Sequence, residues 1–504
     1  MLTFYLCTKS YREKYSCPKG LKDYLSVTTT WIFILLGFIE AVWGIRQVYG
    51  FTYSNHSLYA LTGSFYNPGP YSGYLAMIFP ICLYEWLKRK EEQKTIPYYI
   101  ALVVMLLILC VLPAGMSRSA WIAAAVSSVY ICGMHYREKV KNYISHHRKQ
   151  TVRFALVAFL LGGIALGGIY QMKKDSADGR LFMWKIAAHA VCGHPWSGSG
   201  WNSVPAAYGQ AQEDYFAAGN YTATEELVAG APEYVFNEYL QVAIAWGIPV
   251  LCIGLLIIGG SLYVGHKQGL YGLCGALLSL AVFAFSSYPL QFPAFVSALV
   301  ILVLACGIRV LPLEKVWFRL LFTVLLFIGS YGCFCKYQQK GKTVEACRQW
   351  TKSRIFYQSG AYQQAVESYV EIQEEMKGNA RFMFEYGHAL HKLHKPETSN
   401  EVLKEALEVS GDPMILNIIG KNEQEMKNYE SAEHWFMRAV HRLPGRIYPY
   451  YLLANLYADP AFYQRDKLEQ MVQTVLEKEP KVQSTAIRQM RQKARKLLKK
   501  VSEN

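Results

Sequence analysis

Charged residues are scarce in this chain, which separates it from an ordinary soluble protein. Of its 504 residues, 18% are charged and 52% are hydrophobic, whereas a typical globular domain has about 25% charged residues. The apolar runs are concentrated between about residues 28 and 337. This composition excludes a wholly soluble enzyme and an intrinsically disordered chain.

The chain also lacks the common spacings for metal and nucleotide binding. Its 12 cysteines contain no CxxC pair, and most lie inside apolar runs, where cysteine acts as a small hydrophobe. Their distribution argues against a disulfide-stapled secreted module and predicts no metal site. The stretch Gly193–Gly200 lacks the Gly-Lys-Ser/Thr ending of a Walker loop.

The net charge of +15 does not indicate nucleic-acid binding, because of where the charge lies. Many Lys and Arg residues stand in short loops between apolar runs, and nine more lie in the tail 477–504. No nucleic-acid motif accompanies them. We therefore predict membrane topology and a solvated basic tail, with membrane lipids rather than nucleic acid as partners.

The apolar runs predict about nine membrane-spanning helices, since a span needs roughly 20 apolar residues. Lys/Arg clusters precede the first run and follow the second, fourth, sixth and eighth, which places the N-terminal segment 1–26 in the cytoplasm. With nine spans the C-terminal part lies outside, and one span more or fewer would reverse that. The predicted spans are 27–49, 71–87, 97–114, 119–135, 154–171, 239–262, 270–288, 294–311 and 317–336.

Two regions outside the predicted spans carry distinct patterns. The outer loop 171–238 has a net charge of −4, and a loop of this length is usually functional. In 338–476, Tyr362, Ala365 and Tyr369 match Tyr429, Ala432 and Phe436 at a spacing of 67, close to twice the 34-residue tetratricopeptide period. We expect three to four degenerate repeats in an α-solenoid that binds a protein partner, with a plain helical bundle as the alternative.

Several polar residues at the predicted outer face are candidates for chemistry. Arg118 and Arg180 could grip a diphosphate through paired guanidinium donors, or could instead meet headgroups and Asp178. Asn67 could reach the outer face or simply cap a helix start. The stretch 233–241 offers Asn237 and Glu238, with interfacial anchoring as its alternative role. Further candidate substrate contacts are Trp184, His194, Gly198, Gly200 and Gln241.

Taken together, these segments resemble the O-antigen ligase and polymerase-like family of bacterial membrane glycosyltransferases. The resemblance covers about residues 26–310. It is carried by Gly63-Ser-Phe-Tyr-Asn-Pro68, Ser117-Arg118-Ser119, the Gly179–Gly200 stretch and Asn237-Glu238-Tyr239-Leu240-Gln241. The resemblance implies an all-α, polytopic protein of the bacterial inner membrane. With nine spans, the outside position of the repeats is then the periplasm.

The resemblance also implies a reaction. Glycan moves from an undecaprenyl-diphosphate carrier to an acceptor hydroxyl on lipid A core, on another glycan or on protein, without a metal or other cofactor. Arg118 and Arg180 match the family's diphosphate-binding arginines, and Asn237 matches the Asn of a His-Asn motif. The chemistry needs cations on the leaving diphosphate and a base near the acceptor hydroxyl.

The chain departs from the family in two ways. The position of the motif's His, the family's proposed base, is Phe236 here, so Glu233 and Glu238 are the nearest candidate bases. Family members usually have ten to twelve spans, and this chain starts as though early ones are missing. A catalytically degenerate membrane scaffold whose repeats bind an envelope partner is therefore the alternative function. A transporter has weaker support, from the mid-span Glu40.

Overall fold

The computed structural model describes residues 21–91, 96–171, 174–307 and 341–503, and every regular element in them is helical. The all-α prediction is thus confirmed for these residues. Contacts divide the chain into two units. The first unit holds the described residues up to 171 with 236–239 and 252–307, and the second holds 174–235, 240–251 and 341–503.

The helical elements between residues 21 and 307 follow in chain order as α1 (Leu21–Val48), α2 (Pro68–Glu91), α3 (Ile96–Val111), α4 (Arg118–His135), α5 (Arg137–His146), α6 (Arg148–Gln171), α7 (Lys174–Gly193), α8 (Val204–Ala217), α9 (Ala223–Val228), α10 (Glu238–Lys267), α11 (Tyr271–Ala284), a 3-10 turn (Pro289–Gln291) and α12 (Pro293–Gly307).

Two described helices are long and apolar enough to cross a membrane, namely 25–48 within α1 and α10. Three more helices, α3, α11 and α12, are apolar but shorter. The predicted spans 71–87, 119–135 and 154–171 coincide with α2, α4 and α6, which do not meet the same test. The predicted span 317–336 lies outside the described residues. The described helices are consistent with a helical membrane protein, and the nine-span path stays a prediction.

The first unit is built around α2. This helix packs against α1, α3, α4 and α11, and every residue from Pro70 to Cys82 is buried. Small residues allow the close approach that apolar helices need when no hydrophobic effect drives them together. A Cβ on Gly73 would lie 2.2 Å from the ring of Phe283, so α2 meets α11 at glycine.

The predicted outer loop is mostly helical. Residues 174–235, named here the outer segment, contain α7, α8 and α9. The short α9 begins with a capping box, in which Thr222 accepts from the backbone of Glu225 and Glu225 accepts from the backbone of Thr222. Phe182, Ile186, Tyr208 and Phe216 form an apolar core between these helices.

The C-terminal residues form a row of packed helices. Residues 341–359 are helical, and the elements that follow are α13 (Tyr362–Val370), α14 (Gln373–Met376), α15 (Ala380–Lys392), α16 (Pro396–Leu407), α17 (Pro413–Glu425), α18 (Tyr429–Arg442), α19 (Ile447–Tyr457), a 3-10 turn (Pro460–Phe462), α20 (Arg465–Glu477) and α21 (Thr485–Glu503).

The matched positions of the predicted repeats are buried between these helices. Ala365 and Ala432 are fully buried, as are Tyr369 and Phe436. Gly387 of α15 packs against the side chain of Leu403 of α16, which a Cβ at residue 387 would approach to 2.5 Å. Gly420 of α17 packs in the same way against the ring of Phe436 of α18. The repetition in sequence therefore corresponds to repeated helix contacts, and the tetratricopeptide assignment stays a prediction.

The basic tail is not simply solvated. Its residues 485–503 form α21, whose Ala494 is fully buried against the apolar cluster of α19 and α20. Arg491 donates to the backbone carbonyls of Val475 at 3.1 Å and Lys478 at 2.7 Å. The apolar face of α21 thus packs against the preceding helices, while the side chains of Arg488, Lys493, Arg495 and Lys496 are exposed.

Candidate functional site

The start of α10 holds two of the polar candidates of the first unit. Asn237 and Glu238 are both buried. The side chain of Asn237 accepts from the backbone of Tyr239 at 3.1 Å, as an N-terminal cap does. Glu238 is 2% exposed, and its Oε1 accepts from the backbone N–H of Leu290 at 2.8 Å. Its Oε2 is buried and has no hydrogen-bond partner among the described residues.

The 285–292 segment, between α11 and α12, connects these residues to the start of α4. Phe236 packs edge-on against Tyr288, with ring centroids 4.9 Å apart. Ser286 donates to the hydroxyl of Ser119 at 2.7 Å, and that hydroxyl lies 3.2 Å from the Ser286 carbonyl. Since Ser119 follows Arg118 at the start of α4, one segment contacts the elements that carry Arg118 and Glu238.

Backbone strain accompanies both ends of this arrangement. Met116, just before Arg118, has φ 48, and Phe236, just before Asn237, has φ 52. Non-glycine residues in this left-handed region are uncommon and cluster at functional sites. Each strained residue thus stands at the entry to a helix that begins with a candidate residue or directly after one, Arg118 in α4 and Asn237 before α10.

The candidates in the second unit include the glycine-rich stretch, which binds the chain's own backbone. Gly247 (φ 83) interrupts α10 and exposes backbone groups there. Ser199 donates to the carbonyl of Ile244 at 2.7 Å and Gly200 to that of Ala245 at 2.9 Å. At Gly198 (φ 68) a Cβ would lie 2.4 Å from Ala245. Glycine at residue 198 thus allows this stretch to lie directly against the backbone of α10.

The neighbouring side chains extend this contact. Trp201 stacks on Trp246 with centroids 5.0 Å apart, and Ile248 donates to the carbonyl of Pro195 at 2.8 Å. Gln241 is buried, and its Oε1 accepts from the backbone of Val235 at 3.0 Å. His194 is exposed, just past the end of α7. These residues fix the outer segment to the broken part of α10.

Arg180 and Trp184 lie on α7, both half-buried. Lys185, the residue after Trp184, donates to Glu225 of α9 and to the hydroxyl of Tyr215 of α8, each at 2.7 Å. Burial alone would raise the pKa of Glu225, but the hydrogen bonds from Lys185 and Thr222 lower that pKa to about 2. The charged Glu225 thereby ties α7, α8 and α9 into one support for Arg180.

Two further candidates have simple surroundings. The side chain of Asn67 accepts from the backbone of Gly69 at 2.9 Å, at the start of α2. Glu233 is exposed. Of the two carboxylates proposed as bases, only Glu238 is enclosed by protein.

Sequence reasoning missed two features of the described residues. The first is the 285–292 segment, of which residues 285–288 fall in the predicted span 270–288, although Ser286, Ser287 and Pro289 are a signal for a break. The second feature is the pairing of Glu213 on α8 with Arg438 at 2.6 Å and Arg442 at 2.5 Å on α18. Pairing over more than 200 residues leaves no local pattern in a single sequence.

Comparison with known proteins shows that residues 103–255 match the model of a protein family. No curated protein matches the chain. The match supports the resemblance to the ligase and polymerase-like family, and it indicates a part in glycan assembly at a membrane. It includes Arg118, Arg180, Asn237 and Glu238, and it spans less than half of the chain. Residues 103–255 are similar to the family described as O-antigen ligase.

Proposed function

We propose that this chain transfers glycan from an undecaprenyl-diphosphate carrier to an acceptor hydroxyl on the periplasmic face of the bacterial inner membrane. The observation that carries the proposal is the enclosed Glu238, one oxygen of which has no hydrogen-bond partner among the described residues, inside the part of the chain that matches the O-antigen ligase family. Lipid A core, another glycan and protein are the acceptor classes.

Glu238 is the proposed general base in place of the missing histidine. The acceptor hydroxyl gives its proton to Oε2 of Glu238 as its oxygen bonds to the anomeric carbon of the glycan. The bond from that carbon to the diphosphate breaks, and undecaprenyl diphosphate leaves. A positioned base contributes roughly 10²–10⁴-fold to such a step. Burial supports Glu238 over the exposed Glu233.

Arg118 and Arg180 are the proposed diphosphate ligands. A guanidinium offers paired donors to phosphate oxygens and stays charged throughout the reaction. The charge that develops on the leaving diphosphate is thereby stabilised as the carbon–oxygen bond breaks. Asn237 caps α10 and so orients the first turn, which carries Glu238.

The second unit supports a periplasmic place for the helices after residue 341. Glu213 and its two arginines join α8 of the outer segment to α18, and Gln212 donates to the carbonyl of Arg442 at 2.5 Å. Helices that pack together share one side of a membrane, and the nine-span path also puts both on the outer face. In this proposal the C-terminal helices hold the outer segment in place.

The test is complementation of a strain that lacks this gene. Wild type, Arg180→Ala and Asn237→Ala are compared, with surface polysaccharide and glycoproteins resolved separately on gels. We expect one glycoconjugate class to disappear and to return only with wild type, which also identifies the acceptor class. Unchanged glycans, or full rescue by both variants, would overturn the enzymatic proposal and favour a scaffold.

A further inference from the structure

The surroundings of α10 change at Gly247, where the helix is broken. No residue from 238 to 245 is exposed, and Ile244 belongs to the apolar core of the outer segment. Beyond the break most apolar side chains are exposed, and Leu256 is 74% exposed. The uncharged stretch 239–265 therefore has two parts, one packed against the outer segment and one whose apolar side chains face outward.

The outward-facing part of α10 has the length of one membrane span. At 1.5 Å per residue, residues 248–267 are about 30 Å long, which is the thickness of the hydrocarbon core of a bilayer. This part ends with His266 and Lys267, and the ammonium of Lys267 lies 5.6 Å from the centre of the Tyr263 ring. Basic residues and tyrosine are typical of a cytoplasmic membrane surface. The break at Gly247 then lies at the outer membrane–water interface.

Tryptophan side chains gather at this break, and two of them come from the outer segment. Trp246 is 44% exposed, and Trp201 stacks on it. Trp196 is 79% exposed, and a Cβ at Gly247 would lie 2.4 Å from its carbonyl oxygen. The residues 194–203 include no Asp, Glu, Lys or Arg. Contact of this stretch with lipid therefore buries no charged side chain.

We propose that the outer segment contacts the lipid headgroups of the periplasmic leaflet through Trp196, next to Trp246. An indole ring suits this level of the membrane, because its body is apolar and its N–H reaches polar groups. Lipid is favoured over a sugar because Ile248 and Val250, the exposed residues directly after the break, are apolar. The contact holds the glycine-rich stretch 193–200 at the membrane surface.

The test is photo-crosslinking of the full chain in bilayers of phosphatidylethanolamine and phosphatidylglycerol. The photoreactive residue p-benzoylphenylalanine replaces Trp196, and its adducts are identified by mass spectrometry. Leu227 is the matched control, because it is also exposed in the outer segment, while its neighbour Glu226 pairs with Lys478 after α20. Val250 is the control for the lipid-facing part of α10. These bilayers contain no glycan, so the result does not depend on the proposed glycan transfer.

We expect phospholipid adducts at residues 196 and 250 and none at residue 227. Because Trp196 is largely exposed, its replacement should leave the fold intact, and an unfolding temperature equal to that of wild type verifies this. Equal labelling of residues 196 and 227, or no lipid adduct at residue 196, would overturn the proposal. In cells, adducts at residue 196 that contain glycan and no phospholipid would make Trp196 a sugar contact and would overturn it as well.

Discussion

Individual glycines show how much of the candidate site a sequence can predict. The stretch Gly193–Gly200 indicates a close approach of two groups, and the structure has such an approach at Gly198. The identity of the approaching group is not written in the local sequence, because it is the backbone of α10 near Ala245, more than 40 residues away. The glycine-rich composition predicts that this stretch allows a close contact, and only the tertiary structure identifies α10 as the partner in that contact.

Gly198→Ala is expected to destabilise the chain, and Gly193→Ala is not. The Cβ at residue 198 would meet the backbone of Ala245 at 2.4 Å and would also require φ 68. The two effects together cost roughly 2–5 kcal/mol. At Gly193, apart from its chain neighbours and the backbone of its own helix, no heavy atom of the described residues lies within 4 Å of the corresponding Cβ. Thermal unfolding of the detergent-solubilised full chain measures both variants, and equal unfolding temperatures would contradict this role of Gly198.

Among the elements, the contact between α8 and α18 depends on one carboxylate. Glu213 and Arg442 are both buried, and Arg438 completes the group. The helices themselves are predictable from their apolar periodicity, since their faces repeat locally. The pairing of α8 with α18 is not predictable from the sequence, because Glu213, Arg438 and Arg442 each look like an ordinary charged residue of a surface helix.

Glu213→Gln is expected to lower the stability of this contact strongly. Removing one partner of a buried ion pair leaves the other charge uncompensated, which costs about 3–5 kcal/mol. Asp214→Asn serves as the control, because Asp214 is the exposed neighbour on the same helix. Limited proteolysis of the full chain between residues 193 and 235 reports the release of the outer segment. Resistance equal to wild type in Glu213→Gln would contradict the prediction.

The helix α15 is expected to make stability depend on pH. Burial, reinforced by the nearby cations Lys392, His391 and Lys421, lowers the pKa of His388 to about 4. The unfolded chain, with a histidine pKa of about 6.5, therefore binds the proton more readily. The contribution of His388 is fully present above about pH 6.5 and is lost as the pH falls toward 4.

The comparison of His388→Gln with wild type isolates this contribution. The difference between their unfolding temperatures should shrink as the pH falls from about 7 to about 4, because only wild type carries the titrating group. The full chain is used for both. A difference that stays constant over this range would show that His388 does not titrate as its surroundings require.

At the scale of the whole molecule, composition predicts a helical membrane protein with a separate C-terminal helical part, and the described residues agree. The path through the membrane is less predictable. Apolar residues 270–288 read as one span, yet α11 ends at Ala284 and the chain then turns at 285–292. That turn contacts both Glu238 and Ser119. The part of this segment that contacts Ser119 thus falls inside a predicted span, whereas Leu290, which donates to Glu238, falls between two predicted spans.

The central claim is that Glu238 takes the proton of the acceptor in glycan transfer. The most direct measurement is the amount of undecaprenyl-diphosphate-linked glycan extracted from cells that carry wild type, Glu238→Gln or Glu233→Gln, because it requires no knowledge of the acceptor. We predict that the lipid-linked glycan accumulates with Glu238→Gln, since transfer slows by roughly 10²-fold or more, and stays at the wild-type level with Glu233→Gln. A wild-type level in the Glu238→Gln cells, with the variant present in the membrane, would contradict the account.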